Sequence, residues 1–198
     1  MIRSRRLSAP DLARIAAFAG LVAALSLPGQ FYVFGSAVPV TLQTLGVMLC
    51  GLLLGARLGA LAVLAYLAIG AAGVPVFAGG AAGLAPFAGP TAGYLVAFPI
   101  GAFVIGLIAR PERGFRPARG FLAALVGGIV VVYAIGVPVL AWRAGLDLST
   151  ALRTGALIFL PGDLVKAVLA TVVAAGVHRA YPALSHDDRR HEATVTRT

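Results

Sequence analysis

The sequence of 198 residues is short of charged residues, above all of acids and of lysine. Only 12% of its residues are charged, there are seven Asp and Glu, and Lys166 is the only lysine. Soluble domains usually carry about twice that share of charge. The single cysteine, Cys50, excludes an intramolecular disulfide, and its apolar neighbours predict that it packs in the core. These shortages argue against an ordinary soluble domain.

Motifs of nucleotide hydrolysis and of metal binding are also missing. No Gly-rich loop ends in Gly-Lys-Ser/Thr, and the three histidines, His178, His186 and His191, lack the spacing of metal ligands. Ser and Asp are too sparse to form a hydrolytic triad with His. The sequence therefore predicts no enzyme, no metal and no cofactor. If the protein moves a solute uphill, another chain must hydrolyse the ATP.

Long apolar runs are what the sequence has instead. Hydrophobic residues make up 60% and the mean hydropathy is +0.95, which is typical of an integral membrane protein. Six runs are each near the length that crosses a bilayer, and we predict an all-α membrane protein with six transmembrane helices. The predicted spans are 12–27, 39–55, 58–74, 90–109, 120–141 and 161–181.

The start of the last span and the end of the domain need separate comment. Pro161 favours the first helical position, which leaves Leu148–Leu160 as a short outer or re-entrant helix. A single span starting near Thr154 is the alternative. Residues 1–181 then form one transmembrane domain, and 182–198 are expected to be a polar, disordered cytoplasmic tail.

The arginines predict the orientation. The net charge is +9, and thirteen of the fifteen arginines fall on one side of six spans. Only Arg143 and Arg153 fall on the other side. Because cytoplasmic loops are rich in Lys and Arg, both termini are predicted to be cytoplasmic, and the protein is predicted to be a multi-pass protein of the cell membrane.

Three helix starts on the predicted outer face carry a proline and polar residues. They are Val-Pro-Val-Thr-Leu-Gln (38–43), Gly-Pro-Thr-Ala-Gly-Tyr (89–94) and Leu-Pro-Gly-Asp-Leu-Val-Lys-Ala (160–167). Alternate helices run in the same direction, so these starts converge. Their free N–H groups and helix dipoles favour an anion, and membrane transporters use helix ends in this way.

The outer connections around 28–40 and 75–89 contain no charged residue but several aromatic ones. Phe31, Tyr32, Phe34, Phe77 and Phe87 are candidates for a lid over a ligand, and the Gly- and Ala-rich segment 70–93 is consistent with a flexible lid. The alternative is that these rings anchor the chain at the membrane interface.

Asp163 and Lys166 are the most informative residues. They lie one helical turn apart on the same face of an otherwise apolar helix. Ionisable groups inside a membrane are expensive and usually line an interior site, with each other as the first candidate partners. The alternative is a structural ion pair that holds two helices together.

The three helix-start clusters, taken in order and spacing, resemble those of the BioY family, the biotin-binding S-components of energy-coupling factor (ECF) transporters. The resemblance extends from about Leu12 to Gly176. It implies a six-helix membrane protein that binds biotin from outside with high affinity. It also implies a transmembrane coupling subunit and two cytoplasmic ATPases as partners.

The family pattern implies roles for individual residues. Asp163 and Lys166 would bind the ring system of biotin, since a ureido group offers two N–H donors and one carbonyl acceptor. Gln43, Thr91 and Tyr94 are further candidates for substrate binding, with Phe31 and Tyr32 in the predicted lid.

The carboxylate end of the ligand has no obvious partner in this sequence. Some members have Asn in the lid and Arg after the motif tyrosine, whereas this chain has Ala81 and Leu95 there. Converging helix N-termini, or Arg143 beside Trp142, are the expected replacements.

The first span offers small residues at every fourth position, a pattern that favours close helix packing. The sets are Ala13 with Ala17, Ala16 with Gly20 and Ala24, and Ala19 with Ala23. We predict that Ala19 and Ala23 contact the coupling subunit, with packing inside the protein as the alternative.

Two further functions remain open: an S-component for another vitamin, and a membrane interaction protein without transport.

Overall fold

The computed structural model describes residues 7–27 and 41–181, and helices are the regular elements of these two ranges. Five helical segments there are long and apolar enough to cross a membrane. The predicted all-α membrane architecture is confirmed at this level. The α-helices are α1 Ala9–Ser26, α2 Gln43–Ala71, α3 Ala85–Ala88, α4 Ala92–Ala109, α5 Pro117–Leu125, α6 Val132–Ala144, α7 Leu148–Leu152 and α8 Leu160–Ala180.

α1 begins at Ser8-Ala9-Pro10-Asp11, a sequence typical of a capped helix start. The backbone N–H of Asp11 donates to Ser8 Oγ at 3.4 Å, and Asp11 Oδ2 accepts from the backbone N–H of Ser8 at 3.0 Å. This reciprocal capping box satisfies two donors that a helix start otherwise leaves free. Pro10, which lacks an N–H, sits in the first turn, where none is needed.

α2 is a hairpin of two helical arms, 43–54 and 56–71. Gly55 between them has φ +76°, a left-handed conformation that glycine adopts at little cost. Gln43 Nε2 and Tyr66 Oη lie 2.9 Å apart, although a straight helix would separate these residues by about 34 Å. The two arms correspond to the second and third predicted spans. Counted as two, they raise the five candidate spans of residues 7–27 and 41–181 to six helices, and the turn that joins the two arms is centred on Gly55.

π-helical turns join the remaining helices into two long segments. The turn Val126–Val131 links α5 to α6, and the turn Arg153–Leu157 links α7 to α8. α8 begins at Leu160, one residue before the predicted start at Pro161. The short helix predicted before it exists as α7, but it continues into α8 within one 33-residue segment, Leu148–Ala180, instead of re-entering the membrane separately.

α4 is the central helix and packs closely on the turn of α2. A Cβ at Gly106 would lie 2.0 Å from the backbone N of Ala56, and one at Gly51 would lie 2.7 Å from the carbonyl oxygen of Ala102. The first arm of α2 and α4 therefore run in parallel with their backbones nearly in contact. Small residues permit this approach, as is usual between membrane helices.

The two ends of the bundle differ in charge. The turn at Gly55 lies beside Pro111 and Glu112, and the ring of His178, near the end of α8, stacks on Phe115. These contacts place the α2 turn, the segment after α4 and the end of α8 at the same end of the bundle. This end carries most of the arginines of the described ranges. Its arginines include Arg57, Arg110, Arg113, Arg116, Arg119 and Arg179.

We expect Gly106→Ala to destabilise the fold. The added methyl group would overlap the backbone of α2, and overpacking of this kind costs about 1–3 kcal/mol or more. The check is the thermal unfolding midpoint of the detergent-solubilised protein. The matched control is Gly176→Ala, because no atom of the described neighbours lies within 4 Å of a Cβ there and Ala favours a helix. Equal midpoints for parent and Gly106→Ala would contradict the close crossing.

Candidate functional site

A cavity of about 290 Å³ lies where α2, α4 and α8 begin. Its volume is at the lower end of the range for small-molecule sites, about 300–1,000 Å³. The predicted convergence of the three helix starts is what the structure shows. Polar side chains on the wall are Thr41, Gln43, Thr44, Thr91, Tyr94, Tyr133, Asp163 and Lys166, and the larger apolar ones are Phe77, Pro86, Leu95, Phe98, Val132 and Phe159.

Asp163 and Lys166 form a buried ion pair on this wall. Lys166 Nζ lies 2.9 Å from Asp163 Oδ1, and the residues are 8% and 3% exposed. Asp163 occupies the first turn of α8, where the helix dipole favours a negative charge. The spacing of three residues predicted that both groups share one face of the helix, and the contact confirms it.

Two further side chains complete the cluster, and sequence reasoning missed both. Thr44 Oγ1 donates to Asp163 Oδ1 at 3.0 Å and accepts from Lys166 Nζ at 3.1 Å. Tyr133 Oη donates to Asp163 Oδ2 at 2.5 Å. Their signal in the sequence is that they are polar residues inside apolar spans, on helices other than α8.

Within the described ranges, the hydrogen bonds of this cluster leave one donor and one acceptor open. An ionised carboxylate has about four acceptor positions and an ammonium has three N–H groups. Asp163 accepts from Lys166, Thr44 and Tyr133, while Lys166 donates to Asp163 and Thr44. What remains is one acceptor position on Asp163 and one N–H on Lys166. This pair suits a neutral group with an N–H beside a C=O, such as an amide or a urea.

Gln43 lies on the cavity wall, and Tyr66, which is not part of that wall, holds its side-chain amide. Its Nε2 donates to Tyr66 Oη at 2.9 Å, and its backbone N–H donates to Thr41 Oγ1 at 3.3 Å. Tyr66 in turn contacts Ser26 of α1 and the carbonyl of Val76. The first turn of α2 is therefore tied to three other parts of the chain.

Thr91 and Tyr94 line the cavity at the start of α4, as the sequence predicted. Tyr94 Oη donates to the carbonyl of Gly155 at 2.7 Å. A Cβ at Gly155 would lie 2.5 Å from the same hydroxyl oxygen, so only glycine leaves room for this bond. Tyr94 thereby supports the π turn that precedes α8, and its hydroxyl oxygen can still accept from a ligand.

The segment between α2 and α4, predicted as a lid, closes one side of the cavity. Phe77, 2% exposed, makes edge-to-face contacts with Tyr66 and Phe87, both at 5.6 Å between ring centroids. It fits because Gly70 has no side chain: a Cβ there would lie 2.2 Å from the ring. Ala81 and Leu95, the two positions where the sequence lacks a partner for a ligand carboxylate, both lie on the cavity wall.

The remaining candidate residues are Phe31, Tyr32 and Arg143. Phe31 and Tyr32 lie outside the described residues. Arg143 does not line the cavity; its Nη1 donates to the carbonyl of Ala88 at 3.3 Å, and its guanidinium lies over the ring of Trp142 at 4.7 Å. Arg143 therefore holds the end of α3 at the rim.

The small residues of α1 face two different ways. Ala19 is 2% exposed, and Ala23 packs against the same core as Ala19 and Tyr66. The burial of Ala19 within the fold does not favour its predicted contact with a coupling subunit, whereas Ala23 is only partly buried and its predicted contact stays a prediction. The overlapping set Ala16, Gly20 and Ala24 is exposed.

The described residues were compared with the ligand sets that hold metal ions. No cluster of three or more His, Cys, Asp or Glu side chains that could hold a metal ion occurs in 7–27 and 41–181.

Comparison with known proteins gives one consistent family. A sequence profile described as the BioY family matches residues 2–183. The "Biotin transporter BioY" of Rhizobium etli is 45% identical over 184 residues, covering 90% of this chain and 98% of that protein. The protein of the same description from Thermotoga maritima is 40% identical over 157 residues, covering 79% and 90%.

A solved structure has the same fold. The crystal structure of the S-component for biotin from an ECF-type ABC transporter superposes with a TM-score of 0.81. It is 28% identical, and the match covers 88% of this chain and 95% of that one.

Proposed function

The chain belongs to the BioY family, and we propose that it is the biotin-binding S-component of an ECF transporter and that Asp163 and Lys166 bind the ureido ring. The observation that carries the site assignment is the open acceptor and open donor of the Asp163–Lys166 cluster. One edge of a ureido group presents an N–H and a C=O side by side, which complements this pair. Hydrogen bonds to charged groups are stronger than neutral ones, so the pair supplies affinity as well as orientation.

Thr44 and Tyr133 are positioning residues in this proposal. Their hydroxyl groups donate to the two oxygens of Asp163 and hold the carboxylate in one orientation. They also lower the cost of keeping an ion pair in a membrane protein, because a buried charge is tolerated only when its hydrogen bonds are satisfied.

The carboxylate of biotin is assigned to the start of α4. Thr91 lines the cavity there, and the first N–H groups of a helix attract anions. The other expected replacement, Arg143, is less favoured because its guanidinium is bonded to the carbonyl of Ala88 outside the cavity. Apolar contacts from Phe77, Leu95 and Phe98 suit the aliphatic chain between the two polar ends.

The cavity is proposed to open toward the outside, with both termini in the cytoplasm. The arginine-rich end of the bundle lies opposite the cavity, and positive charge favours the cytoplasmic side. In this orientation biotin is captured from outside and delivered inward. The sequence contains no motif for ATP hydrolysis, so we assign that step to two cytoplasmic ATPases acting through a transmembrane coupling subunit.

The test is an equilibrium titration of the purified protein with labelled biotin. We expect saturable binding that unlabelled biotin displaces and that riboflavin, thiamine and pantothenate do not. A parallel titration uses labelled riboflavin, thiamine and pantothenate. Saturable binding of one of these vitamins without saturable binding of biotin would assign the cavity to that vitamin and contradict the proposed function, and so would absence of saturable binding of all four.

A further inference from the structure

Gln43 is oriented by a chain of hydrogen bonds that begins outside the cavity. The hydroxyl of Tyr66, a residue 1% exposed, donates to the carbonyl of Val76 at 3.2 Å. A carbonyl can only accept, and the other neighbour, Ser26 Oγ at 3.1 Å, already donates its own proton to the carbonyl of Val22 at 2.7 Å. The single proton of the Tyr66 hydroxyl is therefore used on one of these two oxygens. The Tyr66 oxygen is then an acceptor toward Gln43, which presents Nε2 to it at 2.9 Å.

The amide oxygen of Gln43 is consequently turned away from Tyr66. No described residue donates a hydrogen bond to Gln43 Oε1. If this oxygen were fully buried it would be a buried polar atom without a partner, but in the described ranges His178 Nδ1 is the atom in that situation. Gln43 Oε1 thus keeps contact with open space, and Gln43 lines the cavity. A flipped amide would place two acceptors against each other at Tyr66, which loses a buried hydrogen bond.

Gln43 also stands close to the ion pair. Thr44, its neighbour in the chain, contacts both Asp163 and Lys166. A ligand held by that pair has its ring beside the start of α2. An acceptor at Gln43 is therefore available to a second N–H of the same ring.

We infer that Tyr66 is a positioning residue that sets ligand specificity, because it holds the Gln43 amide with its oxygen toward the cavity to accept the second ureido N–H of biotin. This inference rests on the proposed function. Asp163 accepts one N–H, Lys166 donates to the ureido carbonyl, and Gln43 accepts the other N–H. Tyr66 itself does not touch the ligand.

Removal of the Tyr66 hydroxyl should free the amide of Gln43. In Tyr66→Phe both amide orientations become available, and one of them presents an NH₂ group to the ligand N–H, so the second N–H loses its acceptor. A neutral hydrogen bond of this kind corresponds to about a threefold to tenfold change in affinity.

The experiment compares biotin with two lactam analogues, each with one ureido N–H replaced by CH₂. In the parent, both analogues are expected to bind more weakly than biotin. In Tyr66→Phe, the penalty for one analogue should shrink by about threefold to tenfold, while the penalty for the other, which lacks the N–H at Asp163, stays unchanged. Gln43→Met removes the acceptor itself and should give the same pattern.

A purely structural role for Tyr66 gives a different result. If Tyr66→Phe weakens all three ligands by the same factor, or leaves both penalties intact, the inference is overturned. If Tyr66→Phe cannot be purified, Gln43→Met decides, and retention of both penalties in that variant overturns the inference. A parent that binds biotin shows that only this inference has failed, whereas a parent that does not bind biotin overturns the proposed function and the inference together.

Discussion

Asp163→Asn is expected to weaken biotin binding by at least about thirtyfold, which corresponds to about 2 kcal/mol or more. The change removes the negative charge beside Lys166 and places an NH₂ group among three donors, from Lys166, Thr44 and Tyr133. Lys166→Ala should have a similar effect, because it leaves the Asp163 carboxylate without its cation. The measurement is the dissociation constant for biotin of each purified variant.

Asp147→Asn is the matched control for Asp163→Asn. Asp147 is an exposed residue that caps the start of α7. Its carboxylate accepts from Ser149 Oγ and from the backbone N–H of Thr150. These two bonds lower the pKa of the Asp147 carboxyl, so this substitution also removes a charge. Asn caps a helix as well as Asp does, so binding should match the parent. Parent-like binding by Asp163→Asn and Lys166→Ala would make the pair structural.

Gly20→Trp is expected to abolish ATP-driven biotin uptake while biotin binding by the isolated protein survives. Gly20 lies on the exposed face of α1 with Ala16 and Ala24, and no neighbour among the described residues lies within 4 Å of a Cβ at this position. The indole can therefore be accommodated in the isolated protein. It would separate α1 from a helix packed against this face, because small residues are what allow two membrane helices to approach closely. Uptake and co-purification with the energising subunits are measured on the same variant.

Two control variants show whether the effect of Gly20→Trp depends on its position. Val172→Trp on α8, at a position 63% exposed, adds the same ring elsewhere and should retain both uptake and binding. Ala19→Trp should lower the yield of folded protein, because Ala19 is buried in the core. If Gly20→Trp assembles and transports normally, the partner surface lies on another face.

Local features were predictable from the sequence because neighbouring residues determine them. The capping box at Ser8 and Asp11, the start of α8 near Pro161 and the shared face of Asp163 and Lys166 depend on residues at most three positions apart. The helix count follows from the apolar runs. Each of these predictions required only the geometry of a single helix.

Long-range contacts were not predictable in the same way. Thr44 and Tyr133 reach Asp163 across 119 and 30 residues of chain, and no spacing rule relates them. The direction of Ala19 could not be chosen because α1 carries small residues on more than one face, so only the packing against Tyr66 and its neighbours decides which face is buried. The π turn before α8 depends on Tyr94, 61 residues earlier than Gly155.

The most direct test of the central claim is a crystal structure of the protein with biotin bound. The account predicts the ureido ring in the cavity, with one N–H and the carbonyl within hydrogen-bonding distance of Asp163 and Lys166, and the carboxylate toward Thr91. A reversed pose, with the biotin carboxylate on Lys166 and the ureido ring away from Asp163, would contradict it. So would biotin bound outside this cavity.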